Sequence, residues 1–399
     1  MYKSNKQKFK IVFDMCINLV GTGIGLVILQ ICIYPLVARK IDAEIYGQMQ
    51  SIMSMIYLLG GVFGGTLCTT RLIREYEYRE NNIKADFNII FFADFVIVLV
   101  AMPILIKLYL GEVNLISLIL ITLIGILDFC ANYFHVGLRL ILSYKDIFIE
   151  RMLACVGYVI GFFIFSITLR WEYIFICAFL FQSVYALYKY NLLKEPWKKS
   201  YLFSSTFRSY FNLSIATLLK KALTYFDKLL LYPLLGGEAV AIYSVANTFG
   251  KLILKIVEPI TNVIVSYLSK RKSVTPKIIR IVIPVSMISC IVLYILCMIV
   301  SKPILTLLYP QWMEQAVKLI PITTLALAIS TFINLLYPFT LKMLEEYKQI
   351  IVNAVGLLSY IIAIVILYQK YSLQGCCIST VISYCVKLCC MMFFVKKKL

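Results

Sequence analysis

The sequence predicts an all-α polytopic membrane protein with about 12 transmembrane helices in two six-helix lobes. Hydrophobic residues make up 61% of the 399-residue chain and charged residues only 15%, which is far from the composition of a soluble domain. Apolar runs recur from end to end, and each can cross a hydrocarbon core that needs about 20 helical residues. An internal repeat then divides these runs into two halves.

The predicted spans follow one another with short connections. The first apolar run comes after the basic stretch MYKSNKQKFK, as in a signal peptide. It extends to about 26 residues without a small-residue cleavage site, which favours a membrane span. The predicted spans are 11–36, 47–70, 87–106, 115–136, 149–169, 173–192, 209–233, 241–268, 278–300, 315–338, 349–368 and 374–395.

The basic residues indicate the orientation of these spans. With the N-terminus inside, 26 Lys and Arg residues fall in cytoplasmic segments and seven in external ones. Such a bias predicts that both termini are cytoplasmic. The net charge of +19 is therefore interpreted as a topology signal, and nucleic acid is excluded as a partner.

A repeated motif marks the two halves. Tyr34-Pro35-Leu36 recurs as Tyr232-Pro233-Leu234 at an offset of 198 residues, and each copy ends the first span of a half. Coincidence is the alternative, since Pro and Tyr are common at span ends. Halves of six spans run in the same direction, as in transporters whose repeats are related by an axis along the membrane normal. The predicted domains are an N-terminal lobe 1–192, a cytoplasmic amphipathic linker 193–208 and a C-terminal lobe 209–399.

Enzyme signatures are absent from the sequence. There is no G-x-x-x-x-G-K-[ST] phosphate loop, and the single histidine, His135, belongs to no zinc-ligand pattern. The longest predicted external connection is about 14 residues, too short to hold the site of a membrane glycosyltransferase or polymerase. We therefore expect neither catalysis nor a cofactor or metal.

Charged residues inside the spans are the candidate functional residues. An ionisable group at mid-membrane costs roughly 2.5–3.5 kcal/mol on insertion scales, so it normally faces a partner or a water-filled cavity. Spans seven and eight hold five lysines and two acids, which predicts a cationic internal cavity; snorkelling or internal ion pairing is the alternative. The residues concerned are Lys220, Lys221, Asp227, Lys228, Lys251, Lys255 and Glu258, with Asn247 on the stripe of span eight.

The first half carries isolated acids. Asp14 shares a face of span one with other small or polar residues, and Asp128 shares a face of span four with Asn132 and His135, whereas Asp94 stands alone in span three. Membrane carboxylates of this kind bind protons or cations in transporters, and hydrogen-bonded packing is the alternative. For His135, at a helix end, an interfacial role is favoured. The candidate ion-coupling residues are Asp14, Asp94, Asp128 and Asp227.

Three stretches resemble a known family. They are YPLVARKIDAEIYG after span one, LCTTRLIREY at the end of span two, and YFDKLLLYPLLGGEAVAIYSVANTF across spans seven and eight. The first resembles the P-x-x-A-R…Y-G signature of oligosaccharide-lipid flippases. The layout of the whole chain is similar to Wzx-type polysaccharide exporters of the multidrug/oligosaccharidyl-lipid/polysaccharide superfamily. One departure is the Gly-Gly pair at 236–237, which shortens the turn of the second half.

The resemblance implies a MATE-like V-shaped architecture that opens alternately to each side of the bacterial cytoplasmic membrane. It implies translocation of undecaprenyl-pyrophosphate-linked oligosaccharide for surface polysaccharide, with the span-seven and span-eight stripe facing the pyrophosphate and proton or sodium coupling. Membrane lipids and other polysaccharide-assembly membrane proteins would be its partners. A multidrug antiporter of the same fold or a membrane enzyme of glycan assembly remain the alternatives.

Overall fold

The computed structural model describes residues 16–17, 19–248, 250–252, 254, 257, 261, 276–344 and 346–397. Within these residues the regular structure is helical, and nine helical segments are long and apolar enough to cross a membrane. The predicted all-α polytopic fold is confirmed. The helices are α1 Leu19–Ala38, α2 Ala43–Val62, α3 Gly64–Glu80, α4 Phe87–Leu110, α5 Leu115–Leu140, α6 Tyr144–Thr168, α7 Glu172–Lys189, α8 Phe203–Ala246, α9 Pro276–Leu308, α10 Met313–Met343 and α11 Glu346–Lys396.

The chain divides into two compact units. Unit 1 comprises Met1–Ile41 and Ile52–Lys221, and unit 2 comprises Asp42–Ser51 and Ala222–Leu399. The first turns of α2 therefore belong to unit 2, although they lie early in the sequence. The predicted assignment of 193–208 as a cytoplasmic linker between two lobes stays a prediction.

Close helix packing organises unit 1. A Cβ placed on Gly157 would lie 2.5 Å from Ala178 Cα, and one on Gly161 would lie 2.5 Å from Ile174 Cα. The G-x-x-x-G spacing of Gly157 and Gly161 in α6 thus lets the backbone of α7 approach closely, as small residues do between membrane helices.

Aromatic stacking joins another two helices of unit 1. The Phe91 ring of α4 stacks on two rings of α5, those of Phe129 and Tyr133.

A sharp kink divides α8 into two arms within unit 2. Gly236 has φ +82°, a conformation that glycine adopts without steric cost. Tyr243 after the kink donates a hydrogen bond to Asp227 before it, so the two arms lie side by side. Predicted span seven and the start of span eight are thus the two arms of one kinked helix.

The last helix, α11, repeats this arrangement. Ser372 has non-helical dihedral angles, φ 48° and ψ −127°, and Ser383 Oγ donates to Gly356 O at 2.7 Å. The arms before and after Ser372 therefore fold against each other, and they correspond to predicted spans eleven and twelve. Among the described residues, two pairs of predicted spans are thus each one kinked helix, and predicted span six corresponds to α7, which is not among the nine segments.

Contacts with the turn at Gly236–Gly237 hold the first turns of α2 in unit 2. Glu44 Oε2 accepts hydrogen bonds from the backbone N–H groups of Gly237 and Glu238, at 2.8 and 3.1 Å. Gly47 packs so closely on the same turn that an added Cβ would lie 1.7 Å from Gly237 O. The first turns of α2 therefore cap the turn at Gly237 within unit 2.

Candidate functional site

A cluster of two amines and one carboxylate lies in unit 2. Lys251 Nζ donates to Asp227 Oδ2 at 3.0 Å, and the Tyr243 hydroxyl donates to the same oxygen at 3.0 Å. Asp227 Oδ1 accepts the backbone N–H of Lys228 at 2.8 Å. Both carboxylate oxygens are thus occupied, and Asp227 is the counter-ion of Lys251.

Lys228 is the buried member of this cluster. Its Nζ donates to Gln50 Oε1 at 2.6 Å, and its carbonyl accepts from Ser51 Oγ at 3.3 Å. All three residues are less than 9% exposed, so this amine is enclosed by the first turns of α2. The amide oxygen of Gln50 gives this buried ammonium the hydrogen-bond acceptor that burial requires.

Lys251 is the accessible member. Its side chain is 31% exposed, whereas that of Asp227 is 9% exposed. The ammonium group also lies 5.9 Å from the centre of the Tyr243 ring, within the range of a cation–π contact. An anion reaching this cluster would therefore meet Lys251 before Lys228.

Other predicted members of the stripe are placed differently. Asn247 is buried, and its amide donates to Tyr243 O at 3.0 Å, which ties it to its own helix. Lys255 and Glu258 lie outside the described residues. Lys220 is exposed on α8 and falls in unit 1.

A second charged site lies in unit 1, over a pair of glycines in α2. A Cβ on Gly60 would lie 1.9 Å from Asp128 Oδ2, and one on Gly61 would lie 1.8 Å from Lys221 Nζ. Asp128 is 4% exposed, and its Oδ2 atom has no hydrogen-bond partner within the described residues. The absence of side chains at these two glycines gives the carboxylate and the amine their space.

Asn132 completes this second site. Its amide donates to Asp128 O at 2.8 Å and lies close to the same face of Gly60. The structure thus brings Asp128 and Lys221 together, a pairing across α5 and α8 that spacing along either span does not indicate. The two groups have opposite charges when ionised and attract each other.

The remaining predicted acids have other surroundings. Asp94, which sequence spacing leaves alone, accepts a hydrogen bond from the Tyr210 hydroxyl at 2.6 Å. His135 Nδ1 lies 2.6 Å from Glu150 Oε2, and Gln182 donates to the other oxygen of Glu150 at 3.2 Å. Asp14 lies outside the described residues.

Several residues of these sites were not predicted. They are Gln50, Ser51, Gly60, Gly61, Tyr243 and Glu150. The available signal for Gln50 was an amide side chain inside an apolar span, which carries a polar-burial cost like that of the charges. The glycines could not be found, because their role depends on which side chains reach them from other helices.

Metal binding has no candidate site among the residues that the structure describes. No group of three or more His, Cys, Asp or Glu side chains is positioned there to hold an ion. The chemistry on offer is instead that of ammonium groups and single carboxylates.

Comparison with solved structures identifies the fold. The chain is similar to the lipid II flippase MurJ in an inward closed conformation, with a TM-score of 0.73 and 15% identity over 98% of this chain and 87% of that one. It is also similar to a multidrug resistance MATE family transporter of the MOP superfamily. The inward-facing form gives a TM-score of 0.66 and 12% identity over 96% of this chain and 94% of that one. The outward-facing form gives 0.63 and 11% over 96% and 95%.

Comparison of the sequence itself points to a protein family. No curated protein matches the chain, whereas the sequence model of a family described as "Polysaccharide biosynthesis protein" matches residues 15–272. The predicted resemblance to the exporter superfamily is confirmed by this match together with the fold. The chain belongs to the polysaccharide biosynthesis protein family.

Proposed function

We propose that this chain is a flippase for a lipid-linked oligosaccharide in the bacterial cytoplasmic membrane. Its substrate would be an undecaprenyl-pyrophosphate-linked repeat unit of a surface polysaccharide such as capsule or O-antigen, moved to the outer leaflet by alternating access. Both termini would lie in the cytoplasm, because basic residues are concentrated in the segments assigned there. The family, the fold and the charged sites support this proposal.

The observation that carries it is the cluster of Asp227, Lys228 and Lys251. Lys251 is ion-paired with Asp227, whereas the Lys228 ammonium donates to the neutral amide of Gln50, so when both amines are protonated the cluster has one positive charge more than its acid balances. A pyrophosphate brings the missing negative charge into the low-dielectric interior, where such interactions are strong. An oligosaccharide itself offers little charge, so the pyrophosphate is the part of the substrate that this cluster would recognise.

Lys251 is the proposed first contact with the pyrophosphate. Its ammonium already has an anionic partner in Asp227 at 3.0 Å, so substrate binding would exchange one anion for another. Asp227 would take the lysine back as the phosphate leaves. Lysine suits this exchange because its ammonium acts as a point charge and makes no fixed bidentate clamp.

Ion coupling is the second part of the proposal. Asp128 in unit 1 keeps a buried carboxylate oxygen without a hydrogen-bond partner among the described residues, and Lys221 lies close to it. Protonation of this carboxylate, or binding of a sodium ion, would release its attraction for Lys221. Membrane carboxylates commonly have this role in pumps and transporters.

A multidrug antiporter is the other candidate function. The fold similarity to MATE transporters favours it, and so do the buried acids Asp94 and Asp128 of unit 1. Such a protein would bind organic cations, for which the amine cluster of unit 2 offers repulsion. The two candidates therefore differ in the charge of the molecule that the amine cluster attracts.

The test measures lipid binding and export by a Lys251→Ala variant. The purified protein is titrated with undecaprenyl pyrophosphate and, separately, with the neutral alcohol undecaprenol, and binding is followed by native mass spectrometry. Loss of a hydrogen bond to a charged group costs about 1.5–3 kcal/mol, so we expect about 10-fold to 100-fold weaker binding of the pyrophosphate lipid only. Polysaccharide export in cells should fall in parallel at unchanged membrane abundance.

Two further variants make the result specific. Lys251→Arg, which keeps the charge, should retain part of the pyrophosphate affinity, and Lys302→Ala, at an exposed lysine of α9, should bind as the unaltered protein does. Equal binding of the pyrophosphate lipid by the alanine variant and the unaltered protein contradicts the proposal. Ethidium binding that rises when Lys251 is removed would favour the antiporter.

A further inference from the structure

The segment 193–208 of unit 1, called here the linker, exposes a basic and aromatic surface. Its tryptophan and its tyrosine are both exposed, Trp197 to 52% and Tyr201 to 73%. The exposed basic residues are Lys194, Lys198, Lys199 and Arg208. Rings and cations therefore alternate on one short stretch.

Polar contacts at its start and middle fix the linker to the helices of unit 1. Asp86 Oδ1 accepts the backbone N–H of Ser200 at 2.6 Å, and Asp86 N donates to Lys198 O at 3.1 Å. Asn88 donates to two linker-region carbonyls, those of Leu192 and Glu195, at 3.1 and 2.9 Å. The basic surface thus has a defined position on α4.

A further contact anchors its C-terminal part. Tyr78 of α3 donates to Asp86 Oδ2 at 2.6 Å and shares a hydrogen bond with Thr206 at 2.7 Å. Thr206 is fully buried, so the last part of the linker also has a fixed side toward the protein. The exposed side is the one that carries the lysines.

The linker has a strong excess of positive charge. Glu195 is its single acid, and that carboxylate is bound by Arg71 Nη2 at 2.5 Å with a side-chain exposure of 12%. No acid of the linker is therefore left to pair with its four basic residues. The positive charge of these four residues is therefore available to a ligand that binds at this surface.

The rings of this surface continue onto the apolar span α4. The Trp197 ring lies 6.0 Å from that of Phe92, which is 54% exposed on the apolar span α4. Phe203 and Phe207 stack on each other, and Lys199 lies 4.8 Å from the Phe203 ring. Tryptophan and lysine together are typical of the membrane–water interface.

We propose that the linker is a binding surface for the headgroups of anionic phospholipids. The acyl chains would contact Trp197 and Phe92, and the phosphate groups would contact Lys198 and Lys199. Basic residues near a membrane surface attract anionic lipid in this way, and the attraction is lost at high salt. The proposal does not depend on which molecule the chain transports.

The experiment follows the fluorescence of Trp197 alone. Trp171→Phe and Trp312→Phe leave Trp197 as the only tryptophan of the chain. This protein is reconstituted in phosphatidylcholine vesicles that contain brominated phosphatidylglycerol or, at equal mole fraction, brominated phosphatidylcholine. Local enrichment of anionic lipid by basic residues predicts about twofold stronger quenching by brominated phosphatidylglycerol, falling to parity in high salt.

A charge variant and a matched control complete the design. Lys198→Gln with Lys199→Gln should remove the preference for phosphatidylglycerol and leave quenching by brominated phosphatidylcholine unchanged, which shows that Trp197 has kept its depth. Lys107→Gln with Lys302→Gln, at exposed lysines elsewhere, should keep the preference. Equal quenching by the two lipids in the unaltered linker, or a preference that survives in the linker variant, overturns the proposal.

Discussion

The two units differ in the hydrogen bonds and charged neighbours of their buried carboxylates, Asp227 in unit 2 and Asp128 in unit 1. In unit 2, the carboxylate of Asp227 has both oxygens hydrogen-bonded and is ion-paired with Lys251, while the Lys228 ammonium donates to Gln50. In unit 1, Asp128 has one buried oxygen without a hydrogen bond among the described residues and a single amine nearby, that of Lys221. The site in unit 2 has two amines and one carboxylate. The site in unit 1 has a carboxylate oxygen that can still accept a hydrogen bond or bind a cation.

This difference divides the proposed transport into two chemical tasks. A site with spare positive charge attracts an anion such as a pyrophosphate. A buried carboxylate with an unused oxygen attracts a proton or a metal cation, because its own desolvation favours neutralisation. The chain thus offers separate groups for the substrate and for the ion that would drive it.

The largest expected effect is that of Asp227→Asn. The change leaves Lys251 without its acid and weakens the bonds from Tyr243 and the Lys228 backbone, and a hydrogen bond to a charged group contributes about 1.5–3 kcal/mol. We expect a clear fall in the apparent melting temperature of the purified protein in detergent, together with loss of transport. Thermal unfolding of the two proteins in the same detergent measures it.

A compensating variant separates charge from shape. Asp227→Asn combined with Lys251→Met removes one amine with the acid, so most of the lost melting temperature should return while transport stays absent. No recovery in the double variant would mean that Asp227 stabilises the fold through Tyr243 or the Lys228 backbone, and the comparison between the units would lose its electrostatic basis.

Much of this comparison could be predicted from the sequence, up to a definite point. Burial costs made the charged residues of the spans stand out, and Lys228, Lys251 and Asp128 all proved to lie at charged sites. Which acid meets which amine could not be predicted, because Lys251 and Asp227 are 24 positions apart and meet only through the kink at Gly236. Spacing along one helix does not reveal a pair of this kind.

The fold shows the same limit. Apolar run length predicts spans well, since the thickness of the bilayer sets it. It does not show that two pairs of spans form kinked helices, or that 42–51 packs with the second half. That packing depends on Gly47 and Glu44 meeting the turn at Gly237, a contact between residues about half a chain apart.

A smaller effect is expected from alanine at two glycines of α2, one in each unit. At Gly47 the new Cβ would meet the backbone oxygen of Gly237, which cannot move without shifting the turn. Overpacking of this kind costs about 1–3 kcal/mol. At Gly61 the new Cβ would meet the end of the flexible Lys221 side chain, which can rotate away.

The expected order of melting temperatures is therefore Gly47→Ala below Gly61→Ala. The gain in helix propensity, about 1 kcal/mol for Gly→Ala, is common to both variants and cancels in the comparison. The same thermal measurement in detergent checks it. A Gly61→Ala protein that is the less stable of the two would mean that Lys221 is rigidly held, which contradicts the proposed release of Lys221 when Asp128 is protonated.

The smallest effect on stability is expected from Asp128→Asn. Asparagine keeps the shape, removes a buried charge and leaves Lys221, which is only partly buried, able to reach water. The free energy of unfolding should change by about 1 kcal/mol or less, the scale of one hydrogen bond.

The dependence of transport on an ion gradient should be lost in this variant. In vesicles with an imposed proton or sodium gradient, the unaltered protein should move substrate faster with one of these gradients than without it, and the Asn variant should respond to neither. Glu172→Gln is the matched control, because Glu172 is another buried acid of unit 1, in the first turn of α7, and it should leave the response intact. If the Asn variant still responds to the gradient, the driving ion binds elsewhere, and the unused oxygen of Asp128 is only a feature of packing.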